Sequence, residues 1–431
     1  MDTPPSFIRD ASMYLPRPPV DGHPFPANLK LRQHEVQVVS GPGGCLAAAW
    51  TDDTKTDGMQ GWICGYAVSL DGGQSWSMPM FHKRSDFAIS GNPSIAVDTH
   101  GVVFAVSMSV QEDYSCGILE LSSSSDSGRS WSGWTTITSK QNGIPDRPKL
   151  ITATDGNLHL VFSNVERNQR SGTLKRLRST IQAMHSMDHG GTWSEPKTIS
   201  KGVQRSRWFV DGYQGPAIIE APNGSVIVSW ADYYGNGVSF SVRRNNEVEF
   251  DSPVWVRLKA LPGTTLLSWL LGATFGTPVT ELAVDATGRN IVITVHEAHA
   301  MGPVLLVGSQ DGGKTWSRLS QLTRRGSNVS IAFDSIGRLH AIWTELRGQE
   351  VDVMYASSND WGHKFLPPIS LAGTGTSVTL PNSARERDEY AEALGSYQSL
   401  VITRDGNASA FWVDLRDGFL RPKLYQSTWQ I

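Results

Sequence analysis

Ser309-Gln310-Asp311-Gly312-Gly313-Lys314-Thr315-Trp316 decides the fold, because the chain repeats it. Copies stand at Ser69-Leu70-Asp71-Gly72-Gly73-Gln74-Ser75-Trp76, at Ser124-Ser125-Asp126-Ser127-Gly128-Arg129-Ser130-Trp131 and at Ser186-Met187-Asp188-His189-Gly190-Gly191-Thr192-Trp193. A worn copy follows at Ser358-Asn359-Asp360-Trp361-Gly362-His363-Lys364-Phe365. The shared pattern is Ser-x-Asp-x-Gly-x-x-aromatic, and internal repetition of this kind marks a repeat architecture. Each copy has the chemistry of a tight hairpin turn. The carboxylate can accept hydrogen bonds from turn amides, the glycine can take positive φ, and the aromatic ring can cover a sheet edge. Asp71, Asp126, Asp188 and Asp311 therefore read as turn builders.

A second repeat runs through the chain independently of the first. It is an apolar strand, a turn ending in Gly, and a second apolar strand. The turns fall at Gly43-Gly44, Gly101, Gly156, Gly224, Gly288, Gly337 and Gly406. Seven units at roughly 50–70 residues lie within reach of the propeller blade period. The expected fold is all-β, a seven-bladed β-propeller forming one domain over residues 1–431. Residues 1–33 would help close the ring against the last blade. Two inserts, 257–276 and 375–396, break the rhythm. The first is apolar (Leu266, Leu267, Trp269, Leu270, Leu271, Phe275), and the second reads as a short charged helix.

The composition excludes more than it selects. A formal charge of -3 over 431 residues gives no electrostatic reason to expect nucleic acid as partner. No apolar run is long enough to span a bilayer. Cys45, Cys64 and Cys116 lack metal-type spacing, although Cys45 and Cys64 could pair across neighbouring strands. His296-Glu297-Ala298-His299 is not the helical zinc motif, and neither metal nor cofactor is expected. The first residues do not read as a signal peptide. A complete chain would then be cytoplasmic, and a trimmed one secreted. Asn223, Asn328 and Asn407 each begin a glycosylation sequon. Oligomeric state is left open.

Chemistry is expected on the face opposite the repeated turns, where the first strands begin and the second strands end. Strand starts supply Asn92, Asp146, Arg147, Tyr213, Gln214, Asn328, Ser396 and Tyr397; strand ends supply Asp52, Asp53, Glu166, Arg167, Asp232, Tyr233, His296, Glu297, His299, Glu345, Arg347, Asp414 and Arg416. Arginines, carboxylates and tyrosines at one mouth suit a polar or anionic small molecule or glycan. Trp269, on the apolar insert, would add a wall to that mouth.

The repeated turn resembles the Asp box, or BNR repeat, of sialidase-like β-propellers, and the resemblance covers the whole chain. It implies a tyrosine nucleophile assisted by a glutamate, an aspartate acid/base and three arginines on a substrate carboxylate. Ser396-Tyr397-Gln398-Ser399-Leu400 is similar to the neighbourhood of that tyrosine. The catalytic set implied here is Tyr397, Glu345 and Asp414, with Arg147, Arg347 and Arg416 as candidate arginines. Two features depart from the family. The Phe/Tyr-Arg-Ile-Pro motif is replaced by His34-Glu35 at the first strand, and seven units stand where sialidases have six. A six-bladed sialidase-type ring is thus the alternative fold. The leading expectation is a glycan-active enzyme cleaving an acidic sugar. The alternatives are a lectin-like binder and an intracellular cyclase, isomerase or lyase for an apolar small molecule.

Overall fold

Alternating apolar stretches punctuated by Gly turns pair here as consecutive antiparallel strands. The computed structural model describes residues 23–24, 32–53, 61–112, 115–138, 143–168, 176–200, 210–232, 237–245, 247–257, 277–298, 302–348, 350–372, 376–377, 394–416 and 421–431. They contain 28 strands, β1 to β28 in chain order, and the class is all-β. Three sheets are four-stranded and two are eight-stranded. Each large sheet is two meanders joined at a seam. In one the seam is a parallel pairing of β12 (Arg176–Ser186) with β14 (Val210–Glu220). In the other a single 17-residue strand, β21 (Ser317–Phe333), ends one meander and begins the next. The last meander ends in β28 (Lys423–Gln430), against which β1 (His23–Pro24) adds an antiparallel edge.

The strands that begin the meanders are β2 (Arg32–Ser40), β6 (Ile89–Val97), β10 (Ile144–Thr152), β14, β18 (Thr277–Val284), the second half of β21, and β26 (Ser399–Ile402). An edge strand carries amides that need partners. Side chains supply many of them. The Ile95 amide donates to Gln37 Oε1 at 3.3 Å, Leu150 to Ser94 Oγ at 2.9 Å, and Val38 to Ser399 Oγ at 2.8 Å. The Leu400 amide donates to Ser330 Oγ at 3.0 Å, and Thr280 Oγ1 donates to the Gly215 carbonyl at 3.0 Å. Arg147 Nη1 reaches Gln214 Oε1 at 3.3 Å, and the Val329 amide faces His296 Nε2 at 3.5 Å. These seven stitches run from meander to meander and return from β26 to β2, so they close a cycle.

Five first strands carry the same irregularity. In β2, β6, β10, β14 and β21 the register slips between His34 and Gln37, Gly91 and Ser94, Asp146 and Lys149, Gln214 and Ala217, and Ser327 and Ser330. Each slip is a bulge that sets two residues opposite one. Its leading residue lies in the left-handed region: Glu35 (φ 59°), Asn92 (46°), Arg147 (53°), Gly215 (58°) and Asn328 (49°). Among the described residues the remaining non-glycine positions with positive φ, Ser127, His189 and Trp361, all stand in the repeated turns.

Those turns are built alike. Ser309 Oγ donates to Asp311 Oδ1 at 2.8 Å and accepts from the Gly313 amide at 2.8 Å. Asp311 then accepts the Thr315 amide at 2.8 Å and the Thr315 hydroxyl at 2.6 Å. Asp71, Asp126 and Asp188 repeat this set. The aromatic that follows packs on the preceding meander, as Trp316 does on Phe240 (4.4 Å between centroids) and Trp76 on Phe411 (5.9 Å). The apolar core lies between meanders, and Trp50, Trp230, Trp343 and Trp412 are its largest fully buried side chains. All three cysteines are free thiols, so Cys45 and Cys64 are not a disulfide pair. Cys64 instead accepts from Ser107 Oγ, and burial pushes its thiol up to about 12.

Candidate functional site

The bulges sit where the first strands begin, and their side chains converge there. Asn92 Nδ2 donates to Asp146 Oδ1 at 3.1 Å, and Arg147 Nη2 donates to Ser396 Oγ at 3.2 Å. Thr51 Oγ1 donates to Glu35 Oε2 at 3.2 Å. Lys149 Nζ lies 3.9 Å from Glu281 Oε1 and 4.0 Å above the centre of the Tyr397 ring. Lys149 belongs to the third meander, Glu281 to the fifth and Tyr397 to the seventh. Contacts between meanders that are not neighbours in the cycle place this cluster on its axis.

The electrostatics follow from burial. Desolvation pushes the Glu35 carboxyl upward; Arg147 opposes it, and Asp146 adds to it. The Tyr397 phenol is driven well above its ordinary range by burial, against the pull of Arg147 and with the push of Glu35, Asp146 and Glu281. Burial lowers the Lys149 ammonium and raises the Glu281 carboxyl, each partly offset by the other. Tyr397 Oη is buried and has no hydrogen-bond partner among the described residues. Buried polar atoms are rarely left so, and an orphan on the axis of a cluster of titratable groups marks a place for a ligand.

The side chains expected at this mouth divide into three groups. Tyr397, Arg147 and Gln214 come together on the axis. The second group is held locally. Asp414 accepts from Trp412 Nε1 at 3.1 Å and pairs with Arg416, which also lies 4.1 Å over the Tyr425 ring. Glu345 accepts from Thr323 Oγ1 at 2.7 Å and from Trp343 Nε1 at 3.3 Å. Asp52 accepts from Trp50 Nε1 at 3.0 Å in the same way. The Trp-x-acid dipole pair is thus a recurrent fastening of second strands: the carboxylate satisfies the indole N–H of the buried tryptophan two residues before it. Arg347 faces Asp352 of its own hairpin at 4.0 Å, and the Tyr213 ring packs edge-on against Trp230. In the third group, Trp269 and the Asp232 and Glu297 side chains fall outside the described residues, as do most of the two inserts.

Glu35, Lys149 and Glu281 are the residues that sequence reasoning missed. Two signals pointed to them. Glu35 occupies the same offset before its apolar run as Asn92 and Arg147, while Lys149 follows Arg147 by two residues on β10 and Glu281 is the one charged position of β18. The sequon asparagine Asn328 is buried, with its Nδ2 donated to the Leu394 carbonyl at 3.0 Å, so it is no glycan acceptor in this fold. His296 is buried against the Val329 amide, and no group of three potential metal ligands occurs among the described residues. No described helix is long and apolar enough to cross a membrane.

No protein-family model matches the sequence, and no curated protein sequence matches it. Solved structures do. A protein of unknown function from Dyadobacter fermentans DSM 18053 is similar at 12% identity and a TM-score of 0.52, over 96% of this chain and 98% of its own. The α-L-arabinofuranosidase Arb93A from Fusarium graminearum is similar at 12% identity and 0.50, with the same coverage of 96% and 98%. The Hadza microbial sialidase Hz136 is similar at 15% identity and 0.50, over 72% of this chain, which spans 63% of that sialidase. At such identities the likeness is one of fold, a fold used by glycosidases.

Proposed function

We propose that the chain is a seven-bladed β-propeller that hydrolyses glycosides at its axis, with Tyr397 as nucleophile. One observation carries the reading: a buried phenol with no hydrogen-bond partner among the described residues stands among Glu35, Asp146 and Arg147. A neutral phenol is a poor nucleophile and needs a base beside it. Glu35, raised by burial, is a carboxylate able to accept its proton. Tyr397 Oη attacks the anomeric carbon as its proton passes to Glu35, and Asp146 protonates the departing glycosidic oxygen. Water then attacks the anomeric carbon and returns a proton to Asp146. The phenolate leaves and recovers its proton from Glu35. The roles first given to Glu345 and Asp414 thus pass to Glu35 and Asp146. Glycosidases with a tyrosine nucleophile are a known departure from the two-carboxylate scheme.

The sequence favours an acidic sugar, which Arg147 would grip. A second reading has its own support: Arg347 and Arg416 are engaged locally, and the carboxylates Glu35, Asp146 and Glu281 outnumber Arg147 and Lys149. That balance favours a neutral sugar. A panel of acidic and neutral aryl glycosides separates the two. Turnover of either class, reduced about 10²–10⁴-fold in Glu35→Gln with folding intact, supports the axial mechanism. Absence of turnover on the whole panel rejects it, in favour of a lectin-like binder or an enzyme for an apolar small molecule.

A further inference from the structure

Away from the axis, a cleft of ≈ 480 Å³ opens between the third and fourth meanders. Its size falls within the range of small-molecule sites. His159 and His185 come from the third meander, and Arg243 from β16 (Gly237–Arg243) of the fourth. Arg243 Nη2 donates to His159 Nε2 at 2.9 Å, and Nη1 donates to the Glu247 carbonyl at 3.1 Å. Its Nε is buried without a partner, and no carboxylate lies within ion-pair distance of it among the described residues. The carboxylates nearby are engaged elsewhere. Asp155 accepts from the Asn157 amide and side chain, Glu249 pairs with Lys197 at the rim, Asp251 pairs with Arg244, and Glu220 accepts from Thr154. Val161, Ile199, Ile218, Phe250 and Pro253 give the cleft an apolar wall.

A half-buried guanidinium held by a neutral imidazole and a carbonyl, with no carboxylate within ion-pair distance among the described residues, is an incomplete ion pair. Desolvation lowers the Arg243 pKa against the pull of Asp155 and Glu220, and burial together with that cation drives His159 down to about 3. His159 therefore remains an uncharged acceptor that fixes the fork without neutralising it. A planar fork suits a carboxylate, and the apolar wall suits a ring face. We propose that this cleft is a second ligand site, separate from the axis, for a small carboxylate of monosaccharide size such as a sugar acid. It stands whether or not the axial glycosidase reading does.

The test uses the whole chain and glucuronate as probe, with glucose and acetate as controls, read by calorimetry or ligand-observed NMR. Glucuronate is expected to bind at least tenfold tighter than either control. Arg243→Met is expected to weaken it at least tenfold. Without ligand, Arg243→Met should melt no lower than wild type, because it removes an uncompensated charge. Lys197→Met at the rim should weaken glucuronate less than Arg243→Met. Equal binding of glucose and glucuronate, unchanged affinity in Arg243→Met, or a lower melting temperature in that variant overturns the proposal.

Discussion

Lys149 Nζ stands 4.0 Å above the Tyr397 ring and 3.9 Å from Glu281 Oε1, although the three residues come from the third, seventh and fifth meanders. The pair ties the axis together across the ring. Both charges are largely withdrawn from water, with side chains 12% and 25% exposed. Removing one partner leaves the other buried and unpaired. Lys149→Met should therefore destabilise by about 3 kcal/mol, while Lys149→Met with Glu281→Leu recovers most of that loss. Urea unfolding of the two variants checks this, and a fully stable Lys149→Met would show that the pair is not coupled.

Trp316 tests the turns. Its ring is half-buried against Phe240, and its Nε1 donates to the Gly313 carbonyl at 2.9 Å. A fully buried tryptophan cut to alanine costs about 3–5 kcal/mol; the exposed part of this ring brings the expectation to about 2 kcal/mol. Trp76→Ala should cost a similar amount, because the role is repeated. Equilibrium denaturation of both measures it.

Such repetition is what the sequence could show. The Ser-x-Asp-x-Gly-x-x-Trp turns and the Gly-punctuated strand pairs are local, and local chemistry determines their geometry. The axial cluster is different: Glu35, Arg147, Lys149, Glu281 and Tyr397 meet only because distant meanders surround one axis. Arg147 and Tyr397 were legible because they begin strands. Glu345 and Asp414 also end strands, but the position of a carboxylate does not reveal that the tryptophan two residues earlier engages it. The Trp-x-acid spacing was visible as Trp50-x-Asp52, Trp343-x-Glu345 and Trp412-x-Asp414. Its meaning required the buried indoles.

Acid should unfold the protein in two stages. His159 is neutral in the folded state, held down to about 3 from 6.5. The unfolded chain binds the extra proton between those values, so stability falls as pH drops from about 6.5 toward 3. The turn carboxylates Asp71, Asp126 and Asp188 are held at about 2 from 3.8 by hydrogen bonds from Ser75, Ser130 and Thr192. Their contribution is present above 3.8 and lost as pH falls toward 2. His159→Gln should flatten the first stage and leave the second. Melting temperatures from pH 7 to pH 2 would show it, and an unchanged first stage in that variant would contradict the assignment.

Gly395 fixes how closely Tyr397 approaches the axis. It lies at φ 64°, and a Cβ there would stand 2.9 Å from the Glu35 amide nitrogen and 3.0 Å from its Cγ. Alanine must strain the backbone or push Ser396 and Tyr397 away from β2. Gly395→Ala should thus reduce axial activity at least tenfold under conditions where the variant remains folded. Activity equal to wild type would mean that the Glu35–Tyr397 spacing is not critical.

Tyr397→Phe separates the chemistry of the phenol from its packing. The ring is buried beneath the Lys149 ammonium, and phenylalanine preserves that contact and the volume. The hydroxyl makes no hydrogen bond among the described residues, so its burial costs roughly 1–3 kcal/mol without a compensating partner. Deleting it should leave the melting temperature unchanged or higher. If the phenol is the nucleophile, the same deletion should remove turnover by at least about 10²-fold. An atom kept in place at a cost to stability, and needed for turnover, is what a functional group looks like in thermodynamic terms. A structural hydroxyl gives the opposite pair of results: a lower melting temperature with activity retained. Calorimetry and initial rates on one preparation of wild type and Tyr397→Phe decide between them.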